Sequence, residues 1–210
     1  MVYCYNDSQD KKNPDDCNIF NCCFNNLTEL PKLPDSLLEL ICHNNKLSEL
    51  PELPNSLKML ACTYNRLTEL PELSDSLIKL FCSYNNLTKL PKLPNSLEYI
   101  ECVDNILSEL PDLPHSLGFL RCWNNILTEL PKLPDEMFEL SCNNNKLTEL
   151  PELPKSLENL YCENNNIKYL SPNNCTLIKE FSIYDIKVLN NPFSAIFTSN
   201  DNFKEYLMNL

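Results

Sequence analysis

Residues 41–60 read ICHNNKLSELPELPNSLKML, and residues 61–80 repeat the pattern as ACTYNRLTELPELSDSLIKL. Eight cysteines occur at a spacing of twenty residues without a slip, and an asparagine follows each of them three positions later. The cysteines are Cys22, Cys42, Cys62, Cys82, Cys102, Cys122, Cys142 and Cys162. A fixed period of this length is typical of a chain built from stacked repeats.

A single unit of this kind is too small to fold alone. Its inward apolar side chains contribute roughly 1.5–3 kcal/mol each, whereas fixing each residue's backbone costs about 1–2 kcal/mol. Each unit must therefore bury its apolar side against its neighbours. We expect one continuous solenoid whose ends differ from its middle.

The residues within the unit predict its local structure. Leu40-x-Cys42 favours a short strand in which leucine and cysteine point inward. The amide of Asn45, where the chain leaves the strand, can hydrogen-bond to the backbone of its own coil and the adjacent one. In the LPxLPxS half of the unit, the prolines favour an extended, polyproline-like path. The sequence thus predicts a right-handed superhelix with an inner parallel β-sheet, outer polyproline-like segments and little helix.

The repeated cysteine has two possible readings, a buried thiol or a ladder of disulfides or metal ligands. Neighbouring strands lie about 4.8 Å apart, but parallel inward side chains do not converge as a disulfide requires. A free thiol behaves as a small buried hydrophobe. We therefore expect reduced, structural thiols and a reducing compartment.

The composition of the chain argues against nucleic acid and membranes as partners. The chain carries 17 Lys and Arg against 29 Asp and Glu, a net charge of −12, which disfavours a nucleic-acid partner. No run of about eighteen apolar residues predicts a membrane span, and residues 1–16 lack the apolar core of a secretory signal. We expect a cytoplasmic protein that needs no cofactor and acts away from membranes.

Residues 50–70, LPELPNSLKMLACTYNRLTEL, resemble a known repeat. They are similar to the leucine-rich repeat of the short bacterial effector type, found in YopM and the IpaH and SspH effectors, with a consensus close to LPxLPxxLxxLxVxxNxLTxL. The resemblance covers about residues 17–170. It implies a curved leucine-rich-repeat solenoid that binds other proteins on its concave face, in several cases inside a host cell.

The resemblance also raises the question of catalysis. The IpaH and SspH relatives carry a separate ubiquitin-ligase domain with a Cys-x-Asp motif, and about forty residues after Leu170 leave no room for such a domain. Cys102-Val103-Asp104 matches the motif, but Cys102 belongs to the inward cysteine row, and a nucleophilic thiol must be exposed with a lowered pKa. We therefore expect no enzyme activity.

Three functions follow from these observations. The leading interpretation is a non-catalytic protein-interaction module, host-directed like its effector relatives. The alternatives are an adaptor that recruits a substrate to a ubiquitin ligase on another chain, and a structural or virion component. Abundant asparagine with a single glycine is typical of an AT-rich genome, such as that of a giant virus or a protist.

The chain divides into four predicted parts: an N-terminal cap over residues 1–16, eight repeats over 17–170, a divergent ninth repeat over 171–194 and a capping helix over 195–210. Inward positions of the ninth repeat are Ile183, Ile186, Val188 and Asn191. One face of the capping helix carries Phe203, Tyr206, Leu207 and Leu210. Near the other end, Cys4, Cys17, Cys22 and Cys23 lack the spacings of a zinc module.

The outward strand positions vary freely and are the candidates for binding. In the middle repeats they bring aromatic side chains and arginine together, the residue types enriched at protein-interface hot spots. The candidate binding residues are Tyr64, Phe81, Tyr84, Tyr99, Phe119, Arg121 and Trp123. The alternative is that these long side chains only cover the sheet.

Two other features of the sequence are candidate sites. Cys23 and His43 occupy one outward column on adjacent strands, as a thiol–imidazole pair would, but no third group orients the histidine. A second column forms an acidic stripe that is either solvated or steers a basic partner. Its members are Glu29, Glu49, Glu69, Lys89, Glu109, Glu129 and Glu149.

Overall fold

The computed structural model describes residues 2–4, 18–180, 185–194 and 199–208. In these ranges the chain forms ten three-residue strands in a single parallel sheet, ordered as they occur in the sequence. The strands are β1 Val2–Cys4, β2 Ile19–Asn21, β3 Glu39–Ile41, β4 Met59–Ala61, β5 Lys79–Phe81, β6 Tyr99–Glu101, β7 Phe119–Arg121, β8 Glu139–Ser141, β9 Asn159–Tyr161 and β10 Asp185–Lys187. The helices are α1 Pro172–Glu180 and α2 Asn200–Met208, with a short 3₁₀ turn at Pro192–Ser194.

The repeat period sets the strand register. Leu40 lies opposite Leu60, and Leu80 lies opposite Ile100, so equivalent residues of successive repeats are always neighbours. The proline-rich halves between β2 and β9 contain no helix or strand. The prediction of a leucine-rich-repeat solenoid with a parallel sheet and little helix is confirmed. Among the described residues, no helix is both long and apolar enough to span a bilayer.

The core is a set of identical rows that run along the solenoid. The side chains of the strand leucines and of all eight repeat cysteines are buried, and the exposed fraction of each repeat cysteine is 0%. The described cysteines are free thiols. Burial raises the pKa of Cys102 to about 12. This thiol is therefore protonated at neutral pH and unsuited to act as the nucleophile of a Cys-x-Asp motif.

A buried ladder of asparagines joins successive coils. Asn65 donates through Nδ2 to the carbonyl oxygens of Cys42 and Cys62, each at 3.0 Å. Its Oδ1 accepts from the backbone N–H of Leu47 at 3.0 Å. The pattern recurs at Asn45, Asn85, Asn105, Asn125, Asn145, Asn165 and Asn191. The predicted backbone-bonding role of these amides is confirmed, and within the described ranges no buried side-chain polar atom lacks a partner.

The residue before each ladder asparagine adopts a left-handed backbone conformation. From Phe24 to Asn190 the φ angles at this position lie between 50° and 59°. Asparagine and aspartate tolerate this region because their short side chains bond locally. Asparagine or aspartate occupies six of these nine positions, Phe24, Tyr64 and Tyr84 occupy the other three, and none is glycine.

The C-terminal coil departs from the period. Ile186 pairs with Leu160, whereas Leu160 pairs with Leu140, so this coil is longer than the others. Helix α1, which the sequence analysis did not anticipate, occupies the added length. The fully buried Asn174 ties α1 to the preceding coil, accepting from Leu153 N at 2.9 Å and donating to Pro151 O at 3.0 Å.

Helix α2 contacts the last strand edge through its first residue. In the repeats, the N–H of the inward cysteine donates to the next strand, as Cys162 does to Lys187 O at 2.8 Å. At the equivalent Val188, the N–H donates instead to Oδ1 of Asn200, the first residue of α2, at 2.9 Å. Phe203 of α2 is buried with its ring 5.8 Å from that of Phe193.

Some expected features of the ends lie outside the described residues. Ile183, Cys17 and Leu210 fall there, as do the side chains of Cys4, Tyr206 and Leu207. Ile186, Val188 and Asn191 are buried in register with the eight repeats. At the N-terminal end, strand β1 adds to the sheet beside β2. The division into cap, repeats and capping helix stays a prediction.

Candidate functional site

The residues on either side of each buried strand leucine point to the open side of the sheet. We call this surface the open face, and it is the surface that the sequence analysis expects to be concave. Its residues differ from repeat to repeat, whereas the buried rows do not. In β5 to β8 it carries most of the predicted binding residues.

A continuous run of four rings crosses the middle of the open face and ends at Phe138, the residue just before β8. We call it the aromatic strip, and it consists of Phe81, Tyr99, Phe119 and Phe138. Successive ring centroids lie 5.0, 5.7 and 5.9 Å apart, within the range of favourable aromatic contacts. Because it extends over four neighbouring strands, the strip is about 14 Å long. The structure thus brings three of the predicted residues together and adds a fourth.

Phe138 was missed because its column shows no pattern. The equivalent positions hold leucine, lysine, isoleucine and glutamate in other repeats. The available signal was Gly118, the single glycine of the chain, one repeat earlier in that column. A Cβ atom at Gly118 would lie 3.3 Å from Cδ2 of Phe138. Glycine therefore leaves room for this ring, which is 43% exposed.

Arg121 is held by groups of the chain itself. Its Nε lies 2.6 Å from Oε1 of Glu139, and its Nη2 lies 3.2 Å from Oε2 of the same carboxylate. Its guanidinium carbon lies 5.5 Å from the centre of the Tyr99 ring, and Nη1 lies 3.8 Å from Glu101. The hydrogen bonds to Glu139 raise the pKa of Arg121 above its usual value. Arg121 therefore fixes the shape of the open face beside the strip.

Tyr64 and Tyr84 form a separate pair at the turns. Their rings stack with centroids 4.1 Å apart and planes 7° from parallel. Both have the left-handed backbone that bulky residues seldom adopt. The hydrogen bond with Tyr64, together with partial burial, raises the pKa of Tyr84 to about 12. The two predicted tyrosines thus lie together, but outside the aromatic strip.

Trp123 lines a shallow cleft farther along the open face, together with Tyr161, Glu163 and Lys187. The ammonium nitrogen of Lys187 lies 5.1 Å from the centre of the Tyr161 ring. Partial burial raises the pKa of Glu163, and the nearby Lys187 opposes that shift. The cleft offers an indole beside a half-buried carboxylate, a combination suited to a cationic side chain.

An exposed ladder of side chains runs along the turns beside this cleft. Asn124 donates to Oδ1 of Asp104 at 3.0 Å, and Asn144 donates to Oδ1 of Asn124 at 2.7 Å. Asn164 and Asn190 continue the chain at 2.7 and 2.6 Å. All donors point the same way, and the run ends on the Asp104 carboxylate.

Cys23 and His43 have structural partners. The thiol of Cys23 donates to the carbonyl oxygen of Ile41 at 3.4 Å. Nδ1 of His43 lies 2.9 Å from Nδ2 of Asn44, and the imidazole contacts the Phe24 ring edge-on at 5.1 Å. Partial burial lowers the pKa of His43. These contacts explain the positions of both side chains without a catalytic role for either.

Solved structures of known proteins resemble this fold. No protein-family model matches the chain, and no curated protein does. Among solved structures, it is 39% identical to YopM, a leucine-rich effector protein from Yersinia pestis, covering 83% of this chain and 49% of that one with a TM-score of 0.77. For YopM from Yersinia enterocolitica the values are 37% identity, 80% and 41% coverage and a TM-score of 0.64.

A Shigella effector leucine-rich-repeat domain is 29% identical over 83% of this chain and 81% of its own length, with a TM-score of 0.67. The chain is a leucine-rich-repeat protein. Its repeats are of the bacterial effector type, as the resemblance implied. It spans about half the length of the Yersinia pestis relative, 49%.

Proposed function

We propose that this chain is a non-catalytic protein-binding module that holds a protein partner on its open face, with the aromatic strip at the centre of the contact. The observation that carries the proposal is the continuity of three ring contacts that join four rings from Phe81 to Phe138. Phe119 and Phe138 are 37% and 43% exposed. A contiguous exposed apolar surface of this kind marks an interaction site.

The kind of protein and its compartment form part of the same proposal. YopM is described as an effector protein, and its likeness supports a host-directed role for this chain in the cytosol. The row of eight buried, unpaired cysteines supports a reducing compartment. Trp123, Tyr64 and Tyr84 form the outer parts of the proposed contact.

The test uses the protein as bait for host-cell cytosol and then measures the affinity of each captured protein by titration calorimetry. Phe81→Ala, Phe119→Ala and Trp123→Ala should each weaken a genuine partner by more than about 1 kcal/mol, the range of interface hot spots. Thermal unfolding should change little because these side chains project away from the core.

The matched controls are Glu52→Ala and Lys132→Ala in the proline-rich halves, where both side chains are exposed. These should leave affinity unchanged. A partner that tolerates all three open-face substitutions but is lost with either control variant would refute the assignment of the open face.

A further inference from the structure

Resting on the proposed function, we propose that the aromatic strip receives a basic segment of the partner, one in which a row of apolar side chains is flanked by lysine or arginine. The apolar row would pack on the rings. The flanking cations would meet carboxylates that border the strip on both sides.

One border lies in the column of Phe138. Backbone hydrogen bonds join this column from coil to coil: Gly118 N donates to Glu98 O at 3.0 Å, Phe138 N to Gly118 O at 2.8 Å and Glu158 N to Phe138 O at 2.9 Å. Glu98 and Glu158 are both exposed. The exposed ring of Phe138 therefore has a carboxylate-bearing residue on each side of it along the solenoid.

The other border begins at Glu101. Its carboxylate accepts from Ser83 Oγ at 3.1 Å and from Tyr99 OH at 3.4 Å, while Arg121 approaches no closer than 3.8 Å. Arg121 gives its short contact of 2.6 Å to Glu139. Glu101 therefore presents a carboxylate at the edge of the rings, beyond hydrogen-bonding distance of Arg121.

The cations of the open face do not balance these charges. Lys187 lies over Tyr161 and beside Glu163, so it is engaged at the far end of the face. Lys79 is exposed and lies opposite Tyr99 in the sheet, where it adds one positive charge at the start of the strip. The whole chain has a net charge of −12.

Two other partner chemistries fit less well. An acidic segment would set like charges against Glu98, Glu101 and Glu158, which costs several kcal/mol at an interface. A purely apolar segment would remove water from Glu101 without supplying a cation in addition to its present partners, and desolvating a charge is costly. A basic–apolar segment satisfies rings and carboxylates together, and its cations also gain contact with ring faces.

The experiment selects peptides of about twelve residues from a random displayed library on the folded protein, since about four extended residues span the strip and the flanks must be sampled too. We expect enrichment of Lys or Arg together with aliphatic or aromatic residues. Binding of synthetic copies is followed by the fluorescence of Trp123, the single tryptophan of the chain, and should weaken as salt is added.

Four variants locate the binding site. Phe138→Ser and Glu98→Lys should each weaken the selected peptides by about tenfold, whereas Lys79→Glu should strengthen them because it removes a repelling charge that, unlike that of Arg121, has no short contact with Glu139. Glu52→Lys makes the same charge change as Glu98→Lys at a distance from the strip and serves as the control. It should reduce binding far less than Glu98→Lys.

The outcomes separate the two proposals. Selected peptides that depend on Phe138 but are acidic, or carry no charge, would overturn the basic-segment inference and leave the open-face function standing. Peptides indifferent to Phe138→Ser, or the absence of any enriched peptide, would also overturn the inference. The open-face function itself fails only if captured protein partners tolerate the ring substitutions described above.

Discussion

The two faces of the sheet differ in how much their residues vary from repeat to repeat, although the same three-residue strands form both. On the inward side, the column of Leu80 stays apolar and that of Cys82 is cysteine in all eight repeats, because each residue packs against its equivalents in the neighbouring coils. On the open face, Lys79 is followed in the next strands by Tyr99, Phe119 and Glu139. Packing between coils restricts the residue types of the inward side, whereas the residue types of the open face can vary to suit a binding partner.

The asparagines show the contrast most directly. Asn124 and Asn125 are adjacent, yet Asn125 bonds to the carbonyl oxygens of Cys102 and Cys122 inside the stack. Asn124 bonds to the side chains of Asp104 and Asn144 at the surface. The same side chain therefore bonds to the backbone inside the stack in one ladder and to other side chains at the surface in the other.

The largest expected effect comes from ionising the buried cysteine row. Burial raises the pKa of Cys62 and Cys102 to about 12, whereas an unfolded thiol titrates near about 8.5. Between these values the unfolded chain releases protons that the folded chain keeps, so stability is intact below pH 8.5 and falls as pH rises. Each thiol contributes up to about 1.4 kcal/mol per pH unit, so we expect unfolding by about pH 10.

Circular dichroism across pH 7–11, combined with urea titration, measures this loss. Cys102→Val is the matched control, because valine is favoured at this position in the related repeats. It removes one titrating thiol, so the free energy of unfolding should fall less steeply with pH. A protein that stays folded at pH 11 would contradict the effect. The pKa values of Tyr84 at the turns and Tyr161 on the open face are also raised to about 12, and their ionisation lowers stability only above about pH 10, the usual pKa of tyrosine.

An intermediate effect separates the two asparagine ladders. Asn105→Ala removes the donor to Cys82 O and Cys102 O and the acceptor for Leu87 N. At about 1–3 kcal/mol for each buried group left unpaired, the free energy of unfolding should fall by roughly 3–5 kcal/mol. Asn144→Ala in the exposed ladder removes only surface hydrogen bonds, but it places alanine at a φ of 54°, so the free energy of unfolding should fall by about 1–2 kcal/mol. Equal effects of the two substitutions in urea denaturation would show that the two asparagine ladders contribute equally to stability.

The smallest effect concerns Gly118. An added methyl group there displaces the ring of Phe138 by a few tenths of an ångström from its 3.3 Å contact. Because that ring is exposed and can move, Gly118→Ala should shift the free energy of unfolding by less than about 1 kcal/mol. It should still weaken partner binding measurably. A large loss of stability with unchanged binding would show that Gly118 serves the fold instead.

Sequence alone predicted the parts of the fold that repeat. The regular spacing of Cys42, Cys62 and their equivalents indicated parallel strands in register, and the spacing to Asn65 indicated the buried ladder. It did not predict α1, because its sequence PNNCTLIKE shows no helical apolar period and its anchor, Asn174, looks like any surface asparagine.

The candidate site was predictable in composition but not in arrangement. The aromatic residues stood out by type, yet their division into a strip, a tyrosine pair and a tryptophan cleft depends on side-chain contacts that cross strands diagonally. Phe138 joins Phe119 from a different column. The bidentate contact of Arg121 with Glu139 likewise depends on geometry that spacing does not encode.

The constant register has a consequence for the gene. Because Leu60 meets Leu80 in the same way that Leu120 meets Leu140, each interior coil is an interchangeable block whose stability depends on its nearest neighbours. Unequal recombination between the coding sequences of two repeats would add or delete whole strands while leaving both ends, including Asn200, intact. The length of the open face, and the set of side chains on it, can thus change in single genetic steps that preserve folding.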